Sequence, residues 1–197
     1  MADNADSEII NLYQPKNRFI IPINNFHVPK KLFKLFKRNT YTFKINNNFE
    51  SVISKCQLAN RKDSGTWINS IILNSYLNLY YEKKAHSVEC YNQNQLVGGL
   101  YGVHIGGCFF GESMFSEFTN TSKFCLLYLI AILKKNLFTI LDSQFYNEHL
   151  IQFGAFEIKN KIYLEKLKTS INNFRTFTFI ENFQEVLSLL QPNSHKS

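Results

Sequence analysis

Residues 96–116 read LVGGLYGVHIGGCFFGESMFS, and no other stretch constrains the fold as much. The first run, from Leu96 to Ile105, has the length and residue types of a buried strand, and Gly106-Gly107 supplies the positive φ angles of a tight hairpin. The second run then delivers a carboxylate, Glu112, from an otherwise apolar setting. A carboxylate taken out of water costs several kcal/mol unless something pairs with it or uses it. Glu112 is therefore the first candidate for chemistry.

The rest of the chain supplies a mixed set of elements around this hairpin. RFIIPI, residues 18–23, predicts a short edge strand broken by Pro22. Pro29 then opens a helix with Leu32, Phe33 and Phe36 on one face and Lys30, Lys34, Lys37 and Arg38 crowded on another. The plain reading of that basic run is a solvated face; the functional one is a rigid row of cations that tracks a nucleic-acid backbone. Residues 41–45 alternate as a strand, and residues 49–58 have helical spacing with Phe49, Val52, Ile53 and Cys56 inward. Thr66 reads as the cap of a long helix with Trp67 in its first turn. Residues 85–91 alternate again, so three antiparallel strands arrive in succession. A helix over 120–136, a strand over 138–142, a helix through His149, a strand over 154–158 and a helix over 161–168 follow. A closing strand at 177–179 and a helix over 180–190 complete an α+β pattern.

The strand over 138–142 ends in Asp142-Ser143-Gln144. Residues two apart on a strand point the same way, so Asp142 and Gln144 are expected to leave its end on one face. A carboxylate, which only accepts, and an amide, which also donates, can together orient an amine or hydroxyl. Read alone, the pair is explained as well by capping of the next helix.

At 197 residues the chain holds one well-buried core, expected as a single domain over 12–191 with a flexible start, 1–11, and a flexible tail, 192–197. Its formal charge of +7 suits a polyanionic partner. Cys56, Cys90, Cys108 and Cys125 form no CxxC pair and read as reduced thiols of a cytoplasmic protein. The longest apolar run, residues 124–133, is about half of a bilayer span, so a core helix and no membrane partner are expected. The histidines show no metal-ligand spacing, and neither a metal nor a cofactor is expected. His104 and Cys108, four residues apart, read as core rather than as base and nucleophile.

GTWI (65–68), AHSVE (85–89), LVGGLYGV (96–103), GESMFS (111–116), Ser122-Lys123, LDSQ (141–144) and HLIQFGA (149–155) occur in this order. So arranged, they resemble the leucyl/phenylalanyl-tRNA protein transferase family over residues 12–168, and GESMFS after LVGGLYGV is the most specific element. The resemblance implies an enzyme that moves Leu, and also Phe or Met, from aminoacyl-tRNA to the N-terminal α-amine of acceptor proteins. Those acceptors would begin with Arg or Lys and enter the N-degron degradation pathway. It implies a GNAT-like acyltransferase fold, a central, mostly antiparallel, splayed sheet flanked by helices, acting as a monomer.

In site terms the resemblance places Asp142 and Gln144 at the reaction centre with Glu112 beside them. Leu100, Phe109, Ser113, Met114 and Leu129 would surround the donor's aminoacyl end, and Trp67 would lie near its terminal adenosine. Lys30, Lys34, Lys37 and Arg38 would contact the tRNA. Leu129 stands where the family often has a larger aromatic, which implies a shift in donor size preference. Typical members carry a few dozen more residues at the N-terminus, with a GGDL segment and a Pro-Trp-Phe motif, so the chain reads as a shortened member.

Other readings divide on sequence features. Donor and acceptor specificity can differ within the same family. A coenzyme A dependent acetyltransferase of GNAT type would need a Gly-rich pyrophosphate turn, and residues 116–121 contain no glycine. A non-catalytic RNA-binding module would leave Glu112, Asp142 and Gln144 without a purpose. A transferase that builds peptidoglycan bridges is disfavoured by the short single domain.

Overall fold

The computed structural model describes residues 1–4, 7–38, 40–59 and 66–191. The expected tail and residues 63–65, including the glycine of GTWI, lie outside the described residues. In chain order the elements are β1 (Asn17–Ile21), α1 (Lys30–Phe36), β2 (Thr42–Ile45), α2 (Phe49–Leu58) and α3 (Ser70–Tyr81). Next come β3 (Ala85–Asn92), β4 (Gln95–Ile105), β5 (Cys108–Ser116), α4 (Thr121–Lys135), β6 (Ile140–Asp142) and α5 (Glu148–Ile151). β7 (Phe156–Lys159), α6 (Asn160–Ile171) and α7 (Phe183–Leu190) close the chain. The strands form one seven-stranded sheet of order β2-β3-β4-β5-β6-β1-β7. Every pairing is antiparallel except β5 with β6.

Local chemistry explains where the helices begin. Asn48, Asn69, Asn147 and Asn182 each accept a backbone N–H at the start of α2, α3, α5 and α7, so asparagine supplies four caps. This corrects the start of α3. Thr66 accepts from the Ile68 N–H, Asn69 is the cap, and Trp67 precedes the helix instead of lying in its first turn. Residues 124–133 of α4 are buried on all sides, as a helix apolar all round requires: the sheet lies beneath, and α1 and α7 complete the same cluster. On the opposite face α2 and α3 cover Tyr91, Tyr101 and Phe115, while Tyr163 of α6 covers Cys108 and Ile140. All four cysteines are buried free thiols.

Three further expectations change. β1 is not an edge strand, because it pairs with both β6 and β7 and ends one residue before Pro22. In the β4–β5 turn only Gly106 takes a positive φ, at 57°. Residues 177–179 form no strand; the Phe177 ring instead stacks on His86 and Phe109 on the α4 face of the sheet. At the N-terminus, Ala2 donates to the Trp67 carbonyl and Asn11 to that of Met1, so the start of the chain folds back on the body.

Two buried polar groups fix the β2–β3 end. Glu89, fully buried, accepts from the Asn47 and Asn48 N–H groups, Ser87 and Tyr91, and so ties the start of α2 to β3. His86 stacks on Phe177 at 4.4 Å, with the Asn46 amide 2.9 Å from Nδ1. Burial, with His104 beside it, lowers the His86 pKa to about 4. The unfolded chain therefore takes up this proton first, and stability that is complete above pH ~6.5 is lost as pH falls toward about 4. Denaturant titrations at neutral and acid pH should show wild type losing on the order of 3 kcal/mol more than His86→Phe across that window.

Candidate active site

The site forms where β5 and β6 stop pairing. Their parallel ladder holds Cys108↔Ile140, Phe109↔Leu141 and Phe110↔Asp142, after which β6 ends and β5 runs on to Ser116. A cavity of about 490 Å³ opens in the gap. Its floor is apolar, from Leu100, Met114, Leu126, Leu129, Leu141 and Leu150. Glu112, Asp142 and Gln144 close its polar end, beside Trp67.

A β-bulge aims Glu112. Tyr101 faces Ser113 and Gly102 faces Gly111, so Glu112 is the extra residue without a partner on β4. Regular alternation would send it to the side of Met114. The bulge turns it instead toward α3, where Tyr76 lies close enough to act on its carboxylate. Gly102 is required here, since a Cβ would sit 2.2 Å from the Phe110 carbonyl oxygen. Burial raises the Glu112 pKa, and the Asp142 charge adds to this; the nearby Tyr76 hydroxyl and Arg18 pull the other way. Burial and the same carboxylate push the Tyr76 hydroxyl up.

Asp142 is fully buried, and both its oxygens are engaged. Oδ2 accepts from Arg18 Nη2 and, at 2.6 Å, from the Tyr163 hydroxyl; Oδ1 accepts from the Gln144 N–H at 2.8 Å. Gln144 does not continue the strand, because its φ is 61°, a left-handed conformation rare outside glycine. The two side chains therefore do not simply share a strand face. Asp142 instead pins the turn that carries Gln144 to the cavity.

Glu112, Asp142, Gln144, Trp67, Leu100, Ser113, Met114 and Leu129 thus meet around one cavity. Phe109 does not, because it lies before the strands part: it is paired with Leu141, fully buried, and stacked on Phe177 at 5.4 Å. Lys30, Lys34, Lys37 and Arg38 are exposed on and just after α1, away from the cavity lining. Leu126, one helical turn before Leu129, joins it in the cavity floor. Ile21, Tyr76, Arg18 and Tyr163 come from remote elements, and no local pattern points to them. A second cavity of about 420 Å³, with Tyr13, Tyr76, Phe145 and Tyr146 in its walls, shares Trp67, Glu112 and Gln144 with the first. Among the described residues no His, Cys, Asp and Glu cluster could hold a metal ion, and no helix is long and apolar enough to cross a membrane.

The model of the leucyl/phenylalanyl-tRNA protein transferase family matches residues 20–168. The transferase of that name from Zymomonas mobilis subsp. mobilis is 38% identical over 197 residues, covering 99% of this chain and 74% of its own length. That from Hyphomonas neptunium is 43% identical over 171 residues, covering 87% of this chain and 66% of its own. The solved structure of L-PGS from Bacillus licheniformis aligns with TM-score 0.43 and 16% identity over 88% of this chain and 59% of that one. With a matched family model across the whole site and relatives at this identity, the chain belongs to the leucyl/phenylalanyl-tRNA protein transferase family and is an aminoacyltransferase.

Because folding holds the Glu112 carboxyl above its ordinary value, its ionisation opposes folding. The penalty is absent below the unfolded pKa of about 4.3 and complete once pH exceeds the raised value. Glu112→Gln should therefore raise the melting temperature at about pH 7.5, and calorimetry at about pH 4 should show that gain gone.

Proposed function

We propose that this chain transfers Leu, with Phe and Met as further donors, from aminoacyl-tRNA to the N-terminal α-amine of acceptor proteins that begin with Arg or Lys, feeding the N-degron pathway. The observation that carries this reading is the apolar cavity that ends at Glu112, Asp142 and Gln144 where β5 and β6 part. Its size and lining suit an unbranched, γ-branched or aromatic side chain; one methylene changes discrimination by only about 1–3 kcal/mol, so several donors are accepted. The splayed, mostly antiparallel sheet is in keeping with a GNAT-like ancestry. The exposed lysines of α1 and the net positive charge suit the tRNA phosphates, and reduced cysteines suit a cytoplasmic monomer.

The chemistry needs no covalent enzyme intermediate, because the aminoacyl ester is already activated. An N-terminal amine has a pKa of about 7.7–8.0, so an appreciable share is neutral at physiological pH. The enzyme's task is to align that amine with the ester carbonyl, and orientation can supply roughly 7–11 kcal/mol in favourable systems. Glu112, at the junction of the two cavities, faces the incoming amine and accepts from it. The Gln144 carboxamide fixes the amine against the carbonyl. Asp142, with both oxygens engaged, acts through the turn that it pins.

Purified protein, labelled Leu-tRNA and peptides that differ only in their first residue test the reading. Transfer should favour Arg and Lys peptides. Asp142→Asn and Gln144→Ala should each lower single-turnover transfer by about tenfold or more while donor affinity changes little. Full activity in both variants would remove these residues from the mechanism.

A further inference from the structure

Asp142 is the most heavily bonded side chain at the site, and two of its three partners, Arg18 and Tyr163, do not themselves line the cavity. Arg18 stands on β1 and Tyr163 on α6. The Arg18 guanidinium lies over the Tyr163 ring, 4.8 Å from its centroid, so the two donors brace each other as they converge on Oδ2. Oδ1 is left to hold the Gln144 N–H. The same turn is tied to β1 by the Ser143 N–H and hydroxyl, both donating to the Phe19 carbonyl at 2.9 Å, and by Phe19 donating to the Gln144 carbonyl. A left-handed glutamine persists only where its surroundings over-determine it.

We infer that Arg18 and Tyr163 are positioning residues, which hold the Asp142 carboxylate in the one orientation that fixes the Gln144 turn at the reaction centre. The inference deepens the transferase reading and rests on it for its kinetic part. A phenylalanine at 163 would fill the same core volume, so packing alone gives the Tyr163 hydroxyl no task. The hydroxyl is a buried donor spent on a buried carboxylate, and its removal leaves Oδ2 with Arg18 alone.

Tyr163→Phe keeps the ring and its packing, and thermal unfolding checks that it folds. In single-turnover transfer from Leu-tRNA it should lower the rate by about three- to tenfold, with the donor concentration for half-maximal rate unchanged within about twofold. In an Asp142→Asn background the same substitution should cause no further loss, because the hydroxyl acts through that carboxylate. Amide exchange gives a readout independent of catalysis: Tyr163→Phe should speed exchange of the Gln144 N–H by about tenfold, with core amides of β4 unaffected. Equal losses in both backgrounds, or an unchanged Gln144 exchange rate, would overturn the inference. A wild-type protein that transfers nothing, yet whose Gln144 amide still loosens in the variant, would refute the transferase reading and leave the positioning role intact.

Discussion

Strands β5 and β6 lie side by side for three residue pairs and then part, and the site depends on that parting. A parallel pair held along its whole length would bury Gly111, Glu112 and Met114 against a neighbour. Because β6 ends at Asp142, those residues instead become the wall of a cavity whose floor is the apolar face of α4. The bulge at Glu112 acts at the same level, since one unpaired residue turns a carboxylate from the core side to the rim. A hairpin that would otherwise be ordinary core thus presents an acceptor at the edge of an apolar pocket.

The two carboxylates of the site differ because their surroundings differ. Asp142 has no exposure and three donors, among them a guanidinium, so it is held in place as a structural acceptor. Glu112 lines two cavities, and burial together with the Asp142 charge raises its pKa against the nearby Tyr76 hydroxyl. One group is suited to fixing geometry and the other to meeting a substrate amine. Residues from β1, α3 and α6 create this division, although none of those elements carries the GESMFS or LDSQ motifs.

Much of the fold was legible because local rules decided it. The β4–β5 hairpin, the bounds of α2 and the all-apolar α4 follow from periodicity, asparagine caps and a glycine turn. Glu112 stood out as a charge in an apolar run, and the motif order singled out Asp142, Gln144, Leu100, Met114 and Leu129, which line one cavity. Two of the misplacements share one cause, dependence on a tertiary partner. Phe109 is apolar like the pocket residues, but its position before the parting seats its ring in the core against Phe177. β1 looked like an edge because Pro22 was visible, whereas β7, which returns more than a hundred residues later to cover it, was not. Arg18 and Tyr163 carry no local mark at all.

The central claim is that the aminoacyl end of the donor enters the opening between β5 and β6. A crystal structure of the protein with a non-hydrolysable leucyl-adenosine amide measures this directly. The account predicts the leucyl side chain against Leu100, Met114 and Leu129, with its carbonyl beside Gln144. A leucyl group lodged elsewhere, for instance in the cavity beside Tyr81 and Lys83 at the other end of the sheet, would contradict it.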